Sequence, residues 1–263
     1  MRSCSRRCGF RSSQTLLVIF FLCAAAATAG FFDAIAGGGG LIQLPSLMLG
    51  LSDRPVVNVL GTNKFASIFG TANAANRYRK QISIDKKMLA SMAIPAFFGS
   101  MSGAQLASRV PTDNLRIAVF IALVVIFVYT FINPKLGHEE NVKLNYKVAA
   151  IAGLSIGFYD GIFGPGTGTF LMAVLVGALG YGFLTASAIA KFTNVATNLA
   201  AIIIFAKHGV ILYGIGIALA ISNIAGSTLG SKMAIKGGSP LVRKVFLLMT
   251  GLLIAKVGYD LVN

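Results

Sequence analysis

The sequence predicts an all-α, polytopic membrane protein made of two internal repeats, each of about four transmembrane helices plus one short broken or re-entrant segment. Three observations carry this expectation. Of 263 residues, 56% are apolar and 12% charged, about half the charged share of an ordinary soluble domain. The apolar residues gather in uncharged runs of roughly 17–25 residues, the length that crosses a hydrocarbon core of about 30 Å. The second half of the chain also echoes the first at a fixed offset. A mean hydropathy of +0.77 disfavours a water-soluble enzyme. A β-barrel would need alternating ten-residue segments, which are missing here.

Along the chain, Arg2, Arg6, Arg7 and Arg11 precede the apolar run Thr15–Ala27 and the small residues Ala24–Gly30. This reads either as a secretory signal cut after Ala29 or as a first membrane helix; the repeat favours the helix. Further apolar segments follow at Leu41–Leu51, Val56–Ala75, Met88–Ala107 and Leu115–Ile132. After the polar loop Asn133–Lys147 they resume at Val148–Phe163, Gly168–Gly180, Phe183–Ala206, Ile211–Ser231 and Leu241–Val262. That loop, with Pro134, Gly137, His138, Glu139 and Glu140, is the hinge between a first repeat (residues 1–132) and a second (148–263).

Sliding the chain by 127 residues registers the halves without a gap. Gly30, Phe31 and Asp33 fall on Gly157, Phe158 and Asp160, and Lys64-Phe65 falls on Lys191-Phe192. Gly99, Ser100 and Gly103 meet Gly226, Ser227 and Gly230; Arg116 meets Arg243. One offset that recovers Gly, Asp, Lys and Arg together in an apolar sequence indicates duplication, the construction of many secondary transporters, whose substrate site lies between the repeats.

Lys plus Arg number 23 against 8 Asp plus Glu, a formal net charge of +15. Most of the basic residues sit in short connecting segments, as in cytoplasmic loops, and no nucleic-acid motif accompanies them, so no nucleic-acid partner is expected. Cys4, Cys8 and Cys23 all lie near the start, and His138 and His208 sit in or beside loops. No metal or cofactor site is therefore expected, and no nucleophile–base pair points to an enzyme.

Chemistry concentrates in two places in each half. Asp33 precedes Gly37-Gly38-Gly39-Gly40, and Asp160 precedes Gly164-Pro165-Gly166-Thr167-Gly168. Glycine disfavours helix by about 1 kcal/mol per residue, and non-helical backbone at membrane depth needs protein or a water-lined cavity around it. Each cluster therefore reads as a helix break beside a cavity. The eleven-residue stretches that follow, Leu41–Leu51 and Thr169–Leu179, would start with free N–H groups that favour an anion. For Gly99/Gly103 and Gly226/Gly230 the expected role is close helix packing.

The second place is a lysine in the next helix of each half, Lys64 and Lys191, both near mid-membrane. An intramembrane lysine usually faces a cavity or a partner. Ser67 and Thr71 share a helix face with Lys64, and Asn194 and Asn198 share one with Lys191. Two cations among hydrogen-bonding side chains suit a small oxyanion. Pairing of each lysine with Asp33 or Asp160, and snorkelling to the interface, are the alternatives. Gln43, Asn63 and Asn73 are read as helix–helix hydrogen bonds.

Ala36-Gly37-Gly38-Gly39-Gly40 with Pro45 and Gly61-Thr62-Asn63-Lys64, echoed by Gly164-Pro165-Gly166-Thr167-Gly168 and Lys191-Phe192-Thr193-Asn194, resembles the signature of the TauE/SafE sulfite exporter family. The resemblance runs from about Gly30 to the C-terminus. It implies a bacterial inner-membrane permease for sulfite, sulfonates or other sulfur-containing organic anions.

The expectation from sequence is therefore a multi-pass secondary transporter of small anions working by alternating access. Lys64, Lys191, Ser67, Thr71, Asn194, Asn198, Gly38, Gly39, Gly40, Gly166 and Thr167 would bind substrate, and Asp33 and Asp160 would carry coupling protons. An anion channel and a non-transporting scaffold are the alternatives. If the short segments do not cross, there are eight spans, the halves are parallel and both termini are cytoplasmic. If they cross, the halves invert. The expectation adopted is eight spans plus two short segments.

Overall fold

The computed structural model describes residues 4–107, 113–137 and 140–262. Arg2, His138 and Glu139 lie outside the described residues, as do the side chains of Cys4, Cys8, Arg6, Arg7, Arg11 and Arg116. Within them the chain is helical and carries no strand. The helices are α1 (Cys4–Ala36), α2 (Gly40–Gly50), α3 (Val56–Arg79), α4 (Lys86–Leu106) and α5 (Asp113–Ile132), then α6 (Tyr146–Ile162), α7 (Thr167–Gly177), α8 (Phe183–Lys207) and α9 (Tyr213–Val262).

Local chemistry sets the ends. Asp85 caps α4 by accepting from the Lys87 and Met88 backbone N–H groups, and Asn145 caps α6 by accepting from that of Val148. Helix α1 stops at Gly37 and Gly38, whose φ values of 80° and 87° belong to the left-handed region that glycine enters without strain. α9 is two helical arms joined at Gly238, which has φ 63° and is followed by Pro240.

Contacts along the helices fix their directions. α2 turns back along α1: Gly39 lies against Ala29 and Asp33, and Gly50 against Leu22. α3 then runs beside α1 in the same direction, so that the Tyr78 hydroxyl reaches the Ala34 carbonyl at 2.7 Å. At the start of α3, Asn58 donates to the Val210 carbonyl just past α8, while the Leu212 N–H donates to Thr62. α3 and α8 are therefore antiparallel. The second half threads the bundle in the opposite direction to the first, and both the start of α1 and the end of α9 lie at one end. This corrects the expectation of parallel halves. The short helices are too brief to read as spans in a hydropathy pattern, yet each reverses the chain.

The same threading brings the basic loops together at the other end. Arg77 and Lys80 share a cleft with Lys232 and Lys236, and Arg243 donates to the Thr130 carbonyl at the end of α5.

The outside of the bundle is apolar. Leu17, Phe20, Ile151, Ile221 and Leu229 are exposed, whereas Thr62, Lys64, Asp160, Lys191 and Asn194 are buried. That distribution is the inverse of a soluble protein's. Among the described residues two helices, Leu16–Ala36 and Phe183–Lys207, are long and apolar enough to cross a membrane by length and composition alone. α3 falls short because its inward face carries Asn63, Lys64 and Thr71.

Since lipid supplies no hydrophobic force between helices, close contact and hydrogen bonds hold them. A Cβ at Gly99 or Gly103 of α4 would run into the Leu154 or Phe158 carbonyl of α6. At Gly226 or Gly230 of α9 it would run into Ala27 or Phe31 of α1. Asn73 donates to Ser227 and Thr228, joining α3 to α9. Glycine packing at these four positions and the helix–helix role of Asn73 are as expected from sequence. Leu22, Ala26 and Ala29 are buried, so the apolar run of α1 is part of the bundle. Gly226→Val should cost about 1–3 kcal/mol by overpacking, seen as a lowered melting temperature in detergent, whereas Gly214→Ala, with open space around it, should leave the melt unchanged or slightly raised.

Candidate functional site

α3 and α8 cross at the centre of the bundle, where the two helix breaks also meet. Gly37 and Gly168 come so close that a Cβ on Gly37 would sit 2.7 Å from the Gly168 carbonyl carbon. Only glycine permits this approach, and it sets the N-terminal ends of α2 and α7 side by side. Gly164 and Gly166, with φ of 93° and 84°, turn the chain from α6 into α7. The Tyr159 hydroxyl donates to the Pro165 carbonyl and holds the turn.

Both lysines are buried and paired. Lys64 Nζ lies 2.6 Å from Asp160 Oδ1, and Lys191 Nζ lies 3.0 Å from Asp33 Oδ2. Each lysine reaches the aspartate of the opposite half, and the positions correspond at the spacing of 127 residues. Hydroxyls extend the pairs. Thr167 Oγ1 lies 2.7 Å from Asp160 Oδ1 and equally near the Gly164 carbonyl, so its single proton serves one or the other. Thr71 Oγ1 is 2.9 Å from the Ser67 carbonyl and 3.4 Å from Asp33 Oδ2. Two cations and two carboxylates leave the centre formally neutral. Burial makes each partner indispensable: removing one side of such a pair strands a charge at roughly 3–5 kcal/mol.

Between these pairs lies a cavity of about 40 Å³, on a scale where one water needs roughly 10–15 Å³. Lys64, Ser67, Thr71, Asn194, Asn198, Gly38, Gly39, Gly40, Gly166, Thr167, Asp33 and Asp160 all line it. Lys191 does not. It is fully buried behind the wall against Asp33. Snorkelling is ruled out for both lysines, and the ion-pair alternative describes their geometry. The side chain of Asp33 is 21% exposed against 5% for Asp160, so the two carboxylates meet the cavity differently.

The wall also holds residues that the sequence reading placed elsewhere or passed over. Gln43, which makes the expected helix–helix bond to Asn223 of α9, and Asn63 also line the cavity, together with Asn223, Gly164 and Gly168. For Asn63 the signal was present: residues 63, 67 and 71 are successive i, i+4 neighbours on one helix stripe. Gln43 sits three residues into α2 in an otherwise apolar turn. Asn223 gave no signal, because only packing against Gly30 and Gly70 brings it there. Four of the residues that line the cavity each carry a buried polar atom with no protein partner: Gln43 Nε2, Asn63 Oδ1, Asn194 Oδ1 and Asp160 Oδ2. Buried polar atoms are normally satisfied, so these four set the residues around the cavity apart from an ordinary packed core. No group of three or more His, Cys, Asp or Glu able to hold a metal occurs among the described residues.

Residues 22–257 match the family model described as "Sulfite exporter TauE/SafE". The chain is 36% identical over 227 residues to the "Probable membrane transporter protein YfcA" of Escherichia coli K12, covering 84% of this chain and 82% of that protein. It is 33% identical over 215 residues to the "Probable membrane transporter protein ORF9" of Sinorhizobium sp, covering 80% and 81%. It is likewise 33% identical over 223 residues to a "Probable membrane transporter protein" of Haemophilus influenzae, covering 84% and 87%. No solved structure matches the chain. With both glycine breaks, both lysines and both aspartates inside the matched segment, the chain belongs to the TauE/SafE sulfite exporter family of membrane transporters.

Proposed function

We propose that this protein is a multi-pass secondary transporter of small anions, with sulfite, sulfonates or related sulfur-containing organic anions as its substrates. The observation that carries the proposal is the polar cavity between two helix breaks, flanked by two Lys–Asp pairs exchanged between the halves. Its size suits an oxyanion of a few heavy atoms. Lys64 and the N-terminal N–H groups of α2 and α7 supply positive potential, with Lys191 adding its charge from behind the wall. Ser67, Thr71, Thr167, Asn194 and Asn198 supply hydrogen bonds.

A neutral centre gives a reason for coupling. An anion entering it adds one uncompensated negative charge in a low-dielectric place. Protonation of Asp160 or Asp33 removes that charge and releases a lysine to the anion, so anion and proton travel together.

Alternating access follows from the duplication. The close contacts of Gly99, Gly103, Gly226 and Gly230 correspond at the 127-residue spacing, as do the ion pairs. Two repeats of opposite direction, rocking about the pairs, present the cavity to each face in turn. We place the membrane as the bacterial inner membrane, with the end bearing Arg77, Lys80, Lys232 and Lys236 in the cytoplasm and the start of α1 outside.

Flux into proteoliposomes across sulfite, thiosulfate, sulfonates and carboxylates should saturate for the sulfur oxyanions and rise with an imposed proton gradient; flux that grows linearly with concentration would indicate a channel instead. Lys64→Gln should abolish this transport, and transport of every anion at the native rate and affinity would refute the lysine assignment. Lys64→Met alone should destabilise the fold by about 3–5 kcal/mol, and the Lys64→Met/Asp160→Leu double variant should recover most of the melting temperature but none of the flux.

A further inference from the structure

Where the halves depart from one another, the cavity gains a wall with no counterpart. The positions 127 residues from Gln43, Asn63 and Asn223 are Phe170, Ala190 and Ala96. Phe170 packs edge-on against Tyr159, with ring centroids 5.5 Å apart, and Ala96 and Ala190 are buried core. The ion pairs are thus symmetric, while these three carboxamides stand on one side only. A polar group inserted on one side alone needs a reason of its own.

The geometry gives one. Asn223 Nδ2 donates to Gln43 Oε1 at 2.7 Å, with both residues buried. Asn223 itself is seated where Gly30 and Gly70 leave no space for a Cβ: its side-chain oxygen and backbone carbonyl fill both niches. With Oε1 held, the Gln43 amide cannot rotate freely, and its Nε2 is left buried and unpartnered on a residue that lines the cavity. A pre-oriented donor without a partner is what an oxyanion site requires, since an anion only accepts. We propose that Gln43 is a substrate-binding residue that donates to one oxygen of the bound oxyanion, and that Asn223 is the positioning residue that aims it. This rests on the anion-transport reading and deepens it. The ligand lies off centre, toward α2, with one oxygen on Gln43 and its charge shared with Lys64. A planar carboxylate and a pyramidal or tetrahedral sulfur oxyanion present their oxygens differently to a fixed donor, so this residue contributes to the choice among anions.

The test uses the full chain purified in detergent and reconstituted, with sulfite as probe. Gln43→Met keeps the volume and removes the donor. Gln43→Glu keeps the acceptor for Asn223 and replaces the donor with negative charge. The Gln43→Met variant should raise KM for sulfite about 10- to 100-fold, the range of one hydrogen bond to a charged group, with the maximal rate little changed. Gln43→Glu should abolish sulfite binding, read as loss of sulfite-dependent thermal stabilisation. Asn223→Ala should reproduce the KM effect, and combining it with Gln43→Met should add little further. A Gln43→Met protein that folds and keeps the native sulfite KM and stabilisation overturns this inference alone. Wild-type protein that neither binds nor moves sulfite or any other oxyanion of the panel overturns the transport reading with it. Lowered melting temperature with an unchanged KM would assign Gln43 to packing only and likewise refute the proposal.

Discussion

Two ammonium groups are buried at the centre of a bundle whose outside is apolar, and each needs a negative partner. That need organises the centre of the molecule. Lys64 takes Asp160 and Lys191 takes Asp33, so neither half can satisfy its own lysine. The aspartates lie just before the two helix breaks, and holding them against α3 and α8 draws the breaks together. The contact between Gly37 and Gly168 and the small cavity beside it follow from that draw.

The rest of the bundle accommodates this polar core by thinning its helix contacts. α4 on α6 and α1 on α9 approach closely enough for backbone to meet backbone at glycine. Bulk is instead turned outward, where Leu17, Phe20, Ile151 and Ile221 are exposed. Near the basic end, Ser187 donates to the Ile35 carbonyl at 2.8 Å, and Tyr78 donates to that of Ala34. These bonds satisfy the carbonyls exposed where α1 stops short. The broken helices are thus stabilised from neighbouring helices, which leaves the N-terminal ends of α2 and α7 free to face the cavity.

Much of the site was legible because intramembrane charge is costly and therefore conspicuous. A lysine in an apolar run, and an aspartate followed by a cluster of glycines, stand out whatever the tertiary structure does. The i, i+3 and i, i+7 neighbours of Lys64 and the corresponding ones of Lys191 reached the cavity because helical periodicity is local. The exclusion of Lys191 from the wall was not legible: the small offset between the two lysines depends on how α8 sits behind Asp33. Nor was Gln43 legible as part of the wall. A lone amide in a short apolar helix reads as a helix–helix bond, and Gln43 makes one to Asn223, 180 residues away in sequence; that the same residue also lines the cavity depends on how α2 and α9 pack.

Sequence by itself determined the helical class, the apolar exterior, the breaks, the glycine packing surfaces and the identity of the buried charges. Each follows from the composition or period of a short window. Tertiary structure decided which aspartate meets which lysine, which way the second half runs and which polar atoms are left without partners. Direction hinged on α2 and α7, each only eleven residues long, whose hydropathy is the same whether the chain crosses or returns; only their contacts with α1 and α6 distinguish the two. Partner choice hinged on distances between segments more than ninety residues apart, and no local pattern encodes those.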